Sequence, residues 1–347
     1  MHTSTAFICS GGELEKRITD RFCAEVIAEA AVRYGVESEA LKKLGGFESY
    51  IFKYQRNNIG YVLRISHSIR RSMELIRGEV DWIRYLASNG VPVADAVPSA
   101  SGNLVEIIPD GHGGSFLATA FNEVMGKTPW EYGWTPGVFH RYGSLMGRMH
   151  QITKAYKPSS PGIMRPLWDS QELHDSVLKN IPADQTAVIK RSGEVLAEVR
   201  CLSADCDSFG LIHFDAHGGN LLIDETGTIH LFDFDDCCRS WFINDIAIVL
   251  FYMVTNAQNP QSIAGEFLLP FLKGYSSENK LDPVWLDKIP LFLKLREIDL
   301  YAVIHRSFDV NSLSGWCGQF MEGRRDRIEK GIPYLNYDFS RLAGLLA

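Results

Sequence analysis

Residues 211–223 read LIHFDAHGGNLLI, in which a polar loop, HFDAHGGN at 213–220, lies between two short apolar runs. Short apolar runs bounded by polar residues are typical of buried strands. The loop contains a carboxylate, Asp215, and a carboxamide, Asn220. The stretch therefore predicts two short strands joined by a loop that carries oxygen-bearing side chains.

A second acidic segment follows closely along the chain. Residues 230–236 read HLFDFDD, and Asp233 comes thirteen residues after Asn220. A short strand over 229–232 places Asp233 just beyond its end, near the mouth of the preceding loop. We therefore expect the side chains of Asp215, Asn220 and Asp233 to converge.

Such a group of oxygens suits phosphoryl transfer. Mg²⁺ binds through few carboxylates together with substrate phosphates, and a further carboxylate must orient the attacking hydroxyl. Asp215 can orient the hydroxyl, while Asn220 and Asp233 can hold the metal. The spacing H-x-D-x-x-x-x-N matches the kinase catalytic loop, and the Asp-Phe pair at 233–234 matches the metal-binding D-F-G, with Asp235 in place of its glycine.

Residues 211–250 resemble the aminoglycoside phosphotransferase and choline-kinase-like family, a branch of the protein-kinase-like fold that includes kinase-like homoserine kinases and bacterial stress-response kinases. LIHFDAHGGNLLID, HLFDFDD and NDIAIVL follow the family pattern hHxDxxxxNhL, hhDfdd and xDhA. The resemblance implies an α+β, two-lobed fold with a small antiparallel-sheet N-lobe and a larger, mainly helical C-lobe. It also implies roles for individual residues: Asp215 as catalytic base, Asn220 and Asp233 as metal ligands, and His213 and Asp245 as supports of the loop.

Hydrophobic periodicity divides the chain in a way that agrees with this fold. Up to residue 122 the pattern predicts alternating helices and hairpins, and beyond it the pattern is mostly helical, so we expect an N-lobe over 1–122 and a C-lobe over 123–347. The predicted N-lobe elements are a helix over Glu13–Tyr34, strands at 49–54 and 60–65, a helix over Ser68–Ser88, and a hairpin of 103–108 with 115–121 around a loose loop. The predicted C-lobe helices include 136–152 and a stretch near 170–202.

The N-lobe supplies candidates for nucleotide binding. Period-2 alternation places Val62 and Arg64 on one face of a strand, where Val62 can cover adenine and Arg64 can reach the phosphates. The resemblance pairs Arg64 with Glu79 of the next helix and assigns the segment from Ala118 to Glu123, with Phe121, to the adenine-binding hinge. Arg64 replaces the family's usual lysine. We expect its replacement by alanine to weaken nucleotide binding and to leave the fold intact.

Composition excludes several classes of protein. The 347 residues are 46% hydrophobic and 22% charged, which excludes a disordered chain. The net charge of −7 argues against a nucleic-acid-binding surface. The apolar run 246–254 is far shorter than the roughly 20 residues of a membrane helix, and the N-terminus does not read as a signal peptide. We therefore expect a cytoplasmic protein with no membrane or nucleic-acid partner; the oligomeric state is not predicted.

Several side chains admit a second interpretation. His213, Asp215 and His217 alternate, as zinc ligands can, although His217 also fits a solvated loop position. Asp235 and Asp236 can bind a second metal or a cationic acceptor, or can cap the following helix. We assign His150 a structural role. Glu297 and Asp299 are further candidates for an acidic acceptor cleft, and residues 324–327 read as a solvated helix face.

The predicted function is transfer of the ATP γ-phosphate, with Mg²⁺, to a hydroxyl of a small molecule such as an aminoglycoside, amino acid, amino alcohol or sugar. The alternatives are a protein Ser/Thr kinase of the stress-response type and a nucleotide-binding pseudokinase. Eleven residues separate Asp233 from Asp245, which is short for the activation segment of a protein kinase. The spacing therefore favours a small acceptor.

Overall fold

The computed structural model describes residues 16–46, 48–170 and 179–346, which fall into two compact units. The first unit runs to Gly126 and also includes 156–165 and 230–235; the second comprises 127–155, 166–229 and 236–346. The single boundary expected at residue 122 therefore does not account for segments 156–165 and 230–235, which belong to the first unit. Within the described ranges, none of the helices has the length and apolar character needed to cross a membrane.

An antiparallel sheet forms the centre of the first unit. Its strands follow the order β1-β2-β3-β6-β4, with β5 also paired to β6. The elements of this unit are α1 Lys16–Thr19, α2 Ala24–Arg33, β1 Lys42–Gly45, β2 Tyr50–Arg56, β3 Ile59–His67, α3 Met73–Ser88, β4 Ala96–Val97, β5 Glu106–Pro109 and β6 Ser115–Asn122.

The hairpin of β2 and β3 confirms the prediction from alternation. Its two turn residues, Asn57 and Asn58, have φ of +54° and +62°, a left-handed conformation that asparagine tolerates in tight hairpin turns. Along β3, Leu63 and Ile65 are fully buried in the apolar core of the unit. Because side chains alternate along a strand, Arg64 lies on the opposite face.

Two predicted helices differ from the structure at their N-terminal ends. The helix expected over Glu13–Tyr34 is two helices, α1 and α2, and its residues 13–15 lie outside the described ranges. Between α1 and α2, the side chain of Phe22 packs inward and stacks on Tyr50, with ring centroids 3.4 Å apart. This packing favours a break in the helix over a continuous one. Helix α3 begins at Met73 because the side chain of Ser72 caps it, accepting a hydrogen bond from the N–H of Leu75 at 3.3 Å.

The second unit is mainly helical, as expected. Its elements are α4 Pro129–Tyr132, α5 Pro136–Thr153, α6 Thr186–Arg200, β7 Phe209–Ile212, β8 Leu221–Ile223, β10 Cys238–Trp241, α7 Phe242–Val254, α8 Pro260–Glu278, α9 Ile289–Ser307, α10 Gly315–Met321 and α11 Arg324–Glu329, while β9 Ile229–Leu231 lies where the two units meet in the chain. Of the stretch predicted as helix near 170–202, residues 171–178 lie outside the described ranges.

Helices α5 and α8 pack at very close range because each contributes a glycine. A Cβ atom on Gly143 of α5 would overlap the carbonyl oxygen of Phe271, and one on Gly274 of α8 would overlap that of His140. Only glycine permits backbones to approach this closely. The close contact brings side chains of both helices beneath the loop at 213–220.

Strand β10 and helix α7 fix the position of that loop. Strand β10 pairs antiparallel with β7, with Cys238 opposite Ile212, the last residue before the loop. Helix α7 follows β10 directly, and every residue from Phe242 to Phe251 is buried. A short connection between a paired strand and a fully buried helix leaves the first turn of α7, with Asp245, little freedom to move.

Candidate active site

Asp245 holds the start of the loop. Its Oδ2 accepts a hydrogen bond from the backbone N–H of His213 at 2.9 Å, and its Oδ1 accepts one from Phe214 at 2.7 Å. The Asp245 side chain is fully buried. The structure thus places Asp245 where the family resemblance expects a support of the loop, and the Nδ1 atom of His213 accepts a further bond from the N–H of Asp215 at 3.3 Å.

A buried polar network lies beneath Asp245. His150 of α5 places Nε2 3.1 Å from Asp245 Oδ2 and Nδ1 2.9 Å from the hydroxyl of Tyr275 on α8. Asn279 donates to the same hydroxyl at 2.8 Å. Tyr142 of α5 donates to the carbonyl of Ala216 within the loop. Buried polar groups cost free energy unless they are hydrogen-bonded, so this network fixes a single arrangement of the loop and supports the structural role assigned to His150.

Two residues near the predicted chemistry have left-handed backbone conformations. Phe214 has φ of +68° and Asp233 has φ of +66°, whereas the other non-glycine residues with positive φ in the described chain are asparagines. Aspartate, like asparagine, tolerates this region, but a phenylalanine rarely adopts it, and its strain persists only where surrounding contacts enforce it. Both residues belong to the segments that the sequence identified, one immediately before Asp215 and one at the expected metal ligand itself.

Asp215 is surrounded by donors. Its Oδ1 accepts a hydrogen bond from Nη2 of Arg296, and its Oδ2 lies 3.3 Å from Nδ2 of Asn220 and 3.4 Å from Nε2 of His217. Burial raises the pKa of Asp215, but His217 and Arg296 outweigh burial and lower the pKa to about 2. Asp215 is therefore a carboxylate at neutral pH.

His217 belongs to the site rather than to solvent. It is 6% exposed, its Nδ1 accepts a hydrogen bond from the N–H of Gly219 at 2.9 Å, and its ring lies 4.7 Å from that of Tyr252. The interpretation of His217 as a solvated loop residue is wrong. The zinc interpretation has no support either, because His213, Asp215 and His217 do not form a metal-ligating group in the part of the chain that the structure describes.

Asn220 presents a free oxygen. Its Nδ2 donates to the carbonyl of Asp215 at 2.9 Å and approaches the Asp215 carboxylate. This orientation leaves Oδ1 without a hydrogen-bond donor among the described residues. An amide oxygen without a donor is a suitable ligand for a hard divalent cation, so the side chain fits the metal-binding role predicted for it.

Arg296 and Tyr252 were not found from the sequence. Arg296 of α9 donates through Nη2 to Asp215 and also to the hydroxyl of Tyr252 at 2.7 Å. The guanidinium of Arg296 lies 5.2 Å from the centroid of the Tyr252 ring. Trp316 of α10 also stacks on Tyr252, with the two ring centroids 6.1 Å apart. Arg296 is 81 residues from Asp215 in the chain, and no local pattern marks it.

In the first unit, Arg64 and Glu79 form a buried ion pair. Arg64 Nη1 donates to Glu79 Oε1 at 2.8 Å and Nη2 donates to Oε2 at 2.6 Å. Burial lowers the pKa of Arg64, but Glu79 and Asp235 outweigh burial and raise it. The pairing expected from the sequence is present, and it commits both terminal nitrogens of the guanidinium to Glu79.

Asp235 of the first unit is surrounded by arginines. Its Oδ2 lies 3.1 Å from Nε of Arg71 and its Oδ1 lies 3.8 Å from Nη1 of Arg64, while Arg165 donates to its backbone carbonyl at 2.8 Å. Burial raises the pKa of Asp235, but Arg71 and Arg64 outweigh burial and lower it. The arginines already neutralise the negative charge of Asp235, so this carboxylate is less suited to binding a cationic acceptor. A role for Asp235 or Asp236 in acceptor or metal binding stays a prediction.

The expected hinge is partly committed to the sheet. Residues 118–122 belong to β6, where Phe121 pairs with Val62 of β3, and the guanidinium of Arg64 lies 5.2 Å from the Phe121 ring. The N–H of Glu123 donates to Gly60 at 3.0 Å, and its carboxylate pairs with Lys53. The N–H of Asn122 donates to the carbonyl of Asp95 at 2.8 Å, so the backbone donors of both Asn122 and Glu123 are already used within the first unit.

The expectation for Glu297 of α9 is wrong, and the expectation of a solvated face at 324–327 in α11 is wrong for Arg324, whereas Arg325 and Asp326 are exposed as expected. Glu297 is fully buried and pairs with Lys294 and with Arg324, the latter at 2.7 Å. It therefore offers no free charge to an acceptor. Arg324 lies between the rings of Phe320 and Tyr334, at 4.3 and 5.3 Å from their centroids, rather than on a solvated helix face; the solvated reading ignored that guanidinium groups stack on aromatic rings.

The fold and the loop geometry define an α+β phosphotransferase of the kinase-like class. The chain belongs to the phosphotransferase enzyme family, whose sequence pattern matches residues 42–284. The predicted family and fold are confirmed, and so, at the level of the family, is the predicted transfer of a phosphoryl group to a small-molecule hydroxyl.

Individual relatives extend over nearly the whole chain. Amicoumacin kinase of Bacillus subtilis (strain 168) is 40% identical over 322 residues, which cover 92% of this chain and 95% of that protein. The solved structure of amicoumacin kinase hAmiN, in complex with AMP-PNP, Ca²⁺ and Ami, is 38% identical with a TM-score of 0.89 and covers 95% of this chain and 100% of that one. A microcompartment-associated aminopropanol kinase, at 22% identity and a TM-score of 0.70 over 93% of this chain and 97% of that one, shares the fold.

Proposed function

We propose that this chain transfers the γ-phosphate of ATP to a hydroxyl of amicoumacin or of a closely related small molecule. The support is similarity to amicoumacin kinase along 92% of the chain and to the hAmiN complex at a TM-score of 0.89. AMP-PNP in that complex also supports an adenine nucleotide as donor. Since ATP and Mg²⁺ are abundant in the cytoplasm, we place the reaction there.

The observation that carries the proposal is the state of Asp215. This residue is ionised, accepts three donors, and follows a strained residue that Asp245 holds in place. Because Asp215 is such a weak base, it does not deprotonate an alcohol before the reaction begins. It accepts a hydrogen bond from the acceptor hydroxyl, aligns the oxygen with the γ-phosphate and takes the proton late, as suits a loose transition state.

Asn220 and Asp233 are the proposed ligands of the divalent cation. Asn220 has a free amide oxygen, and Asp233 offers a carboxylate from a left-handed backbone position with φ of +66°. A bound Mg²⁺ would neutralise charge on the phosphate oxygens. The Ca²⁺ in the hAmiN complex supports a hard divalent cation in this class of site.

Val62, Phe121 and Arg64 are the proposed nucleotide-binding residues of the first unit. Val62 and Phe121 are opposite each other on paired strands and are half-buried, as an adenine-covering surface requires. Because Glu79 already holds both Nη atoms of Arg64, the guanidinium is fixed in position, and Glu79 neutralises its charge.

A phosphate-transfer assay tests the proposal. Purified protein with Mg²⁺ and [γ-³²P]ATP is incubated separately with amicoumacin, 5-hydroxylysine, 1-amino-2-propanol and an aminoglycoside, and the products are separated by chromatography. We expect labelled product with amicoumacin and much less with the other acceptors. Binding of AMP-PNP without transfer to any of them would instead favour the pseudokinase interpretation, and labelling of an added protein substrate would favour the protein kinase.

A further inference from the structure

The guanidinium of Arg296 has donors that the protein does not use. Nη2 is shared between Asp215 and the hydroxyl of Tyr252. Nε is buried and has no hydrogen-bond partner, and Nη1 has no acceptor among residues 16–46, 48–170 and 179–346. A buried guanidinium normally has most of its five donors satisfied. Arg296 therefore carries unused hydrogen-bonding capacity next to the proposed catalytic carboxylate.

The contact between Arg296 and Asp215 differs from the structural ion pair of Arg64 and Glu79. Arg64 and Glu79 meet through two parallel hydrogen bonds that use both Nη atoms, which is the geometry that best neutralises a buried carboxylate. Arg296 contacts Asp215 through one nitrogen only. If its sole task were to hold Asp215, the same fork geometry would serve better.

Aromatic contacts hold the guanidinium in this position. Its carbon lies 5.2 Å from the Tyr252 ring centroid, and Tyr252 is itself packed between His217 and Trp316. A planar group stacked on a packed ring loses little further conformational entropy when it binds a ligand. The site is therefore ordered before a ligand arrives.

We propose that Arg296 is a specificity-determining residue, whose Nη1 donates to a carbonyl or carboxylate oxygen of the acceptor while Asp215 accepts from the reacting hydroxyl. The inference rests on the proposed function of Asp215. With hydrogen bonds of ordinary length, each of the two substrate oxygens lies about 3 Å from its partner atom on Arg296 or Asp215. The substrate class is thus hydroxyl compounds that also carry a carbonyl or carboxylate group near the reacting hydroxyl.

Kinetics of Arg296→Lys and Arg296→Met with amicoumacin as acceptor test the proposal. Lysine retains the positive charge beside Asp215 but lacks the second nitrogen of the fork, so its effect separates recognition from electrostatics. Arg325→Met is the matched control, because Arg325 is an exposed arginine whose ion pair, within the described residues, is with Glu329 in the next turn. AMP-PNP binding and the melting temperature of each variant are measured alongside.

We expect both Arg296 variants to raise the KM for the acceptor tenfold or more, because a hydrogen bond to a charged group is lost. The lysine variant should keep kcat within a few-fold of wild type, with unchanged AMP-PNP affinity, and the control should match wild type. As a second readout, wild type should be inhibited more strongly by L-homoserine than by 3-amino-1-propanol, which lacks the carboxylate, and Arg296→Met should lose this preference.

Other outcomes overturn the inference. If kcat falls in Arg296→Lys while the acceptor KM is unchanged, Arg296 only positions Asp215. If neither constant changes, or if wild type shows no preference within the inhibitor pair, Arg296 does not contact the acceptor. A wild-type chain that binds AMP-PNP but phosphorylates no acceptor contradicts the proposed function first and removes the basis of this inference with it. Should Arg296→Met fail to fold, the lysine variant decides.

Discussion

Asp245 accepts a 2.7 Å hydrogen bond from the backbone N–H of Phe214, and this bond holds Phe214 in a left-handed conformation with φ of +68°. A phenylalanine in this region is strained by roughly 1–3 kcal/mol. The second oxygen of Asp245 accepts from His213, so a single buried carboxylate bends the chain immediately before Asp215. The position of the proposed catalytic group therefore depends on a residue that does not touch substrate.

Asp245→Asn should destabilise the chain and slow turnover together. An amide has only one acceptor oxygen, so one of the two backbone N–H groups loses its partner in a fully buried place, and the contact with His150 changes as well. We expect a loss of about 2–4 kcal/mol in the free energy of unfolding, measured by urea titration. Asp207→Asn, at a residue 81% exposed in the same unit, is the control; equal stability of the two variants would refute the role given to Asp245.

Arg64 and Glu79 should show strong energetic coupling. The sequence alone predicted that replacing Arg64 leaves the fold intact. Both side chains are buried, however, so removal of either one leaves the charge of the other unpaired. We expect Arg64→Met and Glu79→Met each to cost about 3–5 kcal/mol of unfolding free energy. The double variant should be less destabilised than the sum of the two, and additive losses in this double-mutant cycle would contradict a direct pair.

Asp110 should make stability depend on pH. Its Oδ1 accepts from the N–H groups of His112 and Gly114, both at 2.8 Å, and its Oδ2 accepts from Arg21 at 2.6 Å. Burial raises the pKa of Asp110, but these hydrogen bonds outweigh it and hold the pKa well below its usual range. The loop that the sequence suggested was loose is therefore fastened by one carboxylate.

A depressed pKa contributes stability above the unfolded-state value of about 3.9 and loses that contribution as the pH falls below it. We expect Asp110→Asn to lower the free energy of unfolding by about 1–3 kcal/mol at pH 7. The difference in unfolding free energy between this variant and wild type should become smaller from pH 4 to pH 3 in urea titrations. Asp287→Asn, at an exposed residue of the second unit, should show no such trend; a gap for Asp110→Asn that is independent of pH would contradict the ionised, hydrogen-bonded carboxylate.

Asp233→Asn should weaken binding of the divalent cation and leave the fold intact. A neutral amide binds Mg²⁺ less tightly than a carboxylate, so the Mg²⁺ concentration that gives half-maximal turnover should rise, and excess Mg²⁺ should restore part of the activity. Titration of turnover with Mg²⁺ at fixed ATP measures this shift. An unchanged Mg²⁺ requirement would remove Asp233 from the set of proposed metal ligands.

Features encoded locally could be predicted from the sequence. Alternation along 60–65 and the Asn57-Asn58 turn define the β2–β3 hairpin, and the spacing from His213 to Asn220 defines the loop. The partnership of Arg64 with Glu79 followed from the family pattern. In each case the deciding interactions lie within one element, or between elements whose relation the fold class fixes.

Features that depend on how helices pack could not be predicted. Arg296 reaches Asp215 from 81 residues away, and His150 reaches Asp245 from 95 residues away. Helical periodicity shows which face of α5 or α9 is buried but not which polar groups meet inside. The burial of Arg324 on aromatic rings was missed for the same reason, since a run of charges usually marks a solvated helix face.

The most direct test of phosphoryl transfer through Asp215 compares wild type with Asp215→Asn in the [γ-³²P]ATP assay, with amicoumacin as acceptor. Asparagine retains the size of the side chain but loses the negative charge that accepts the hydroxyl proton. We expect the variant to bind AMP-PNP with Mg²⁺ nearly as wild type does and to lose about 10²–10⁴-fold in kcat. Retention of kcat within a few-fold, with labelled product still formed, would contradict the assignment of Asp215 as the catalytic carboxylate.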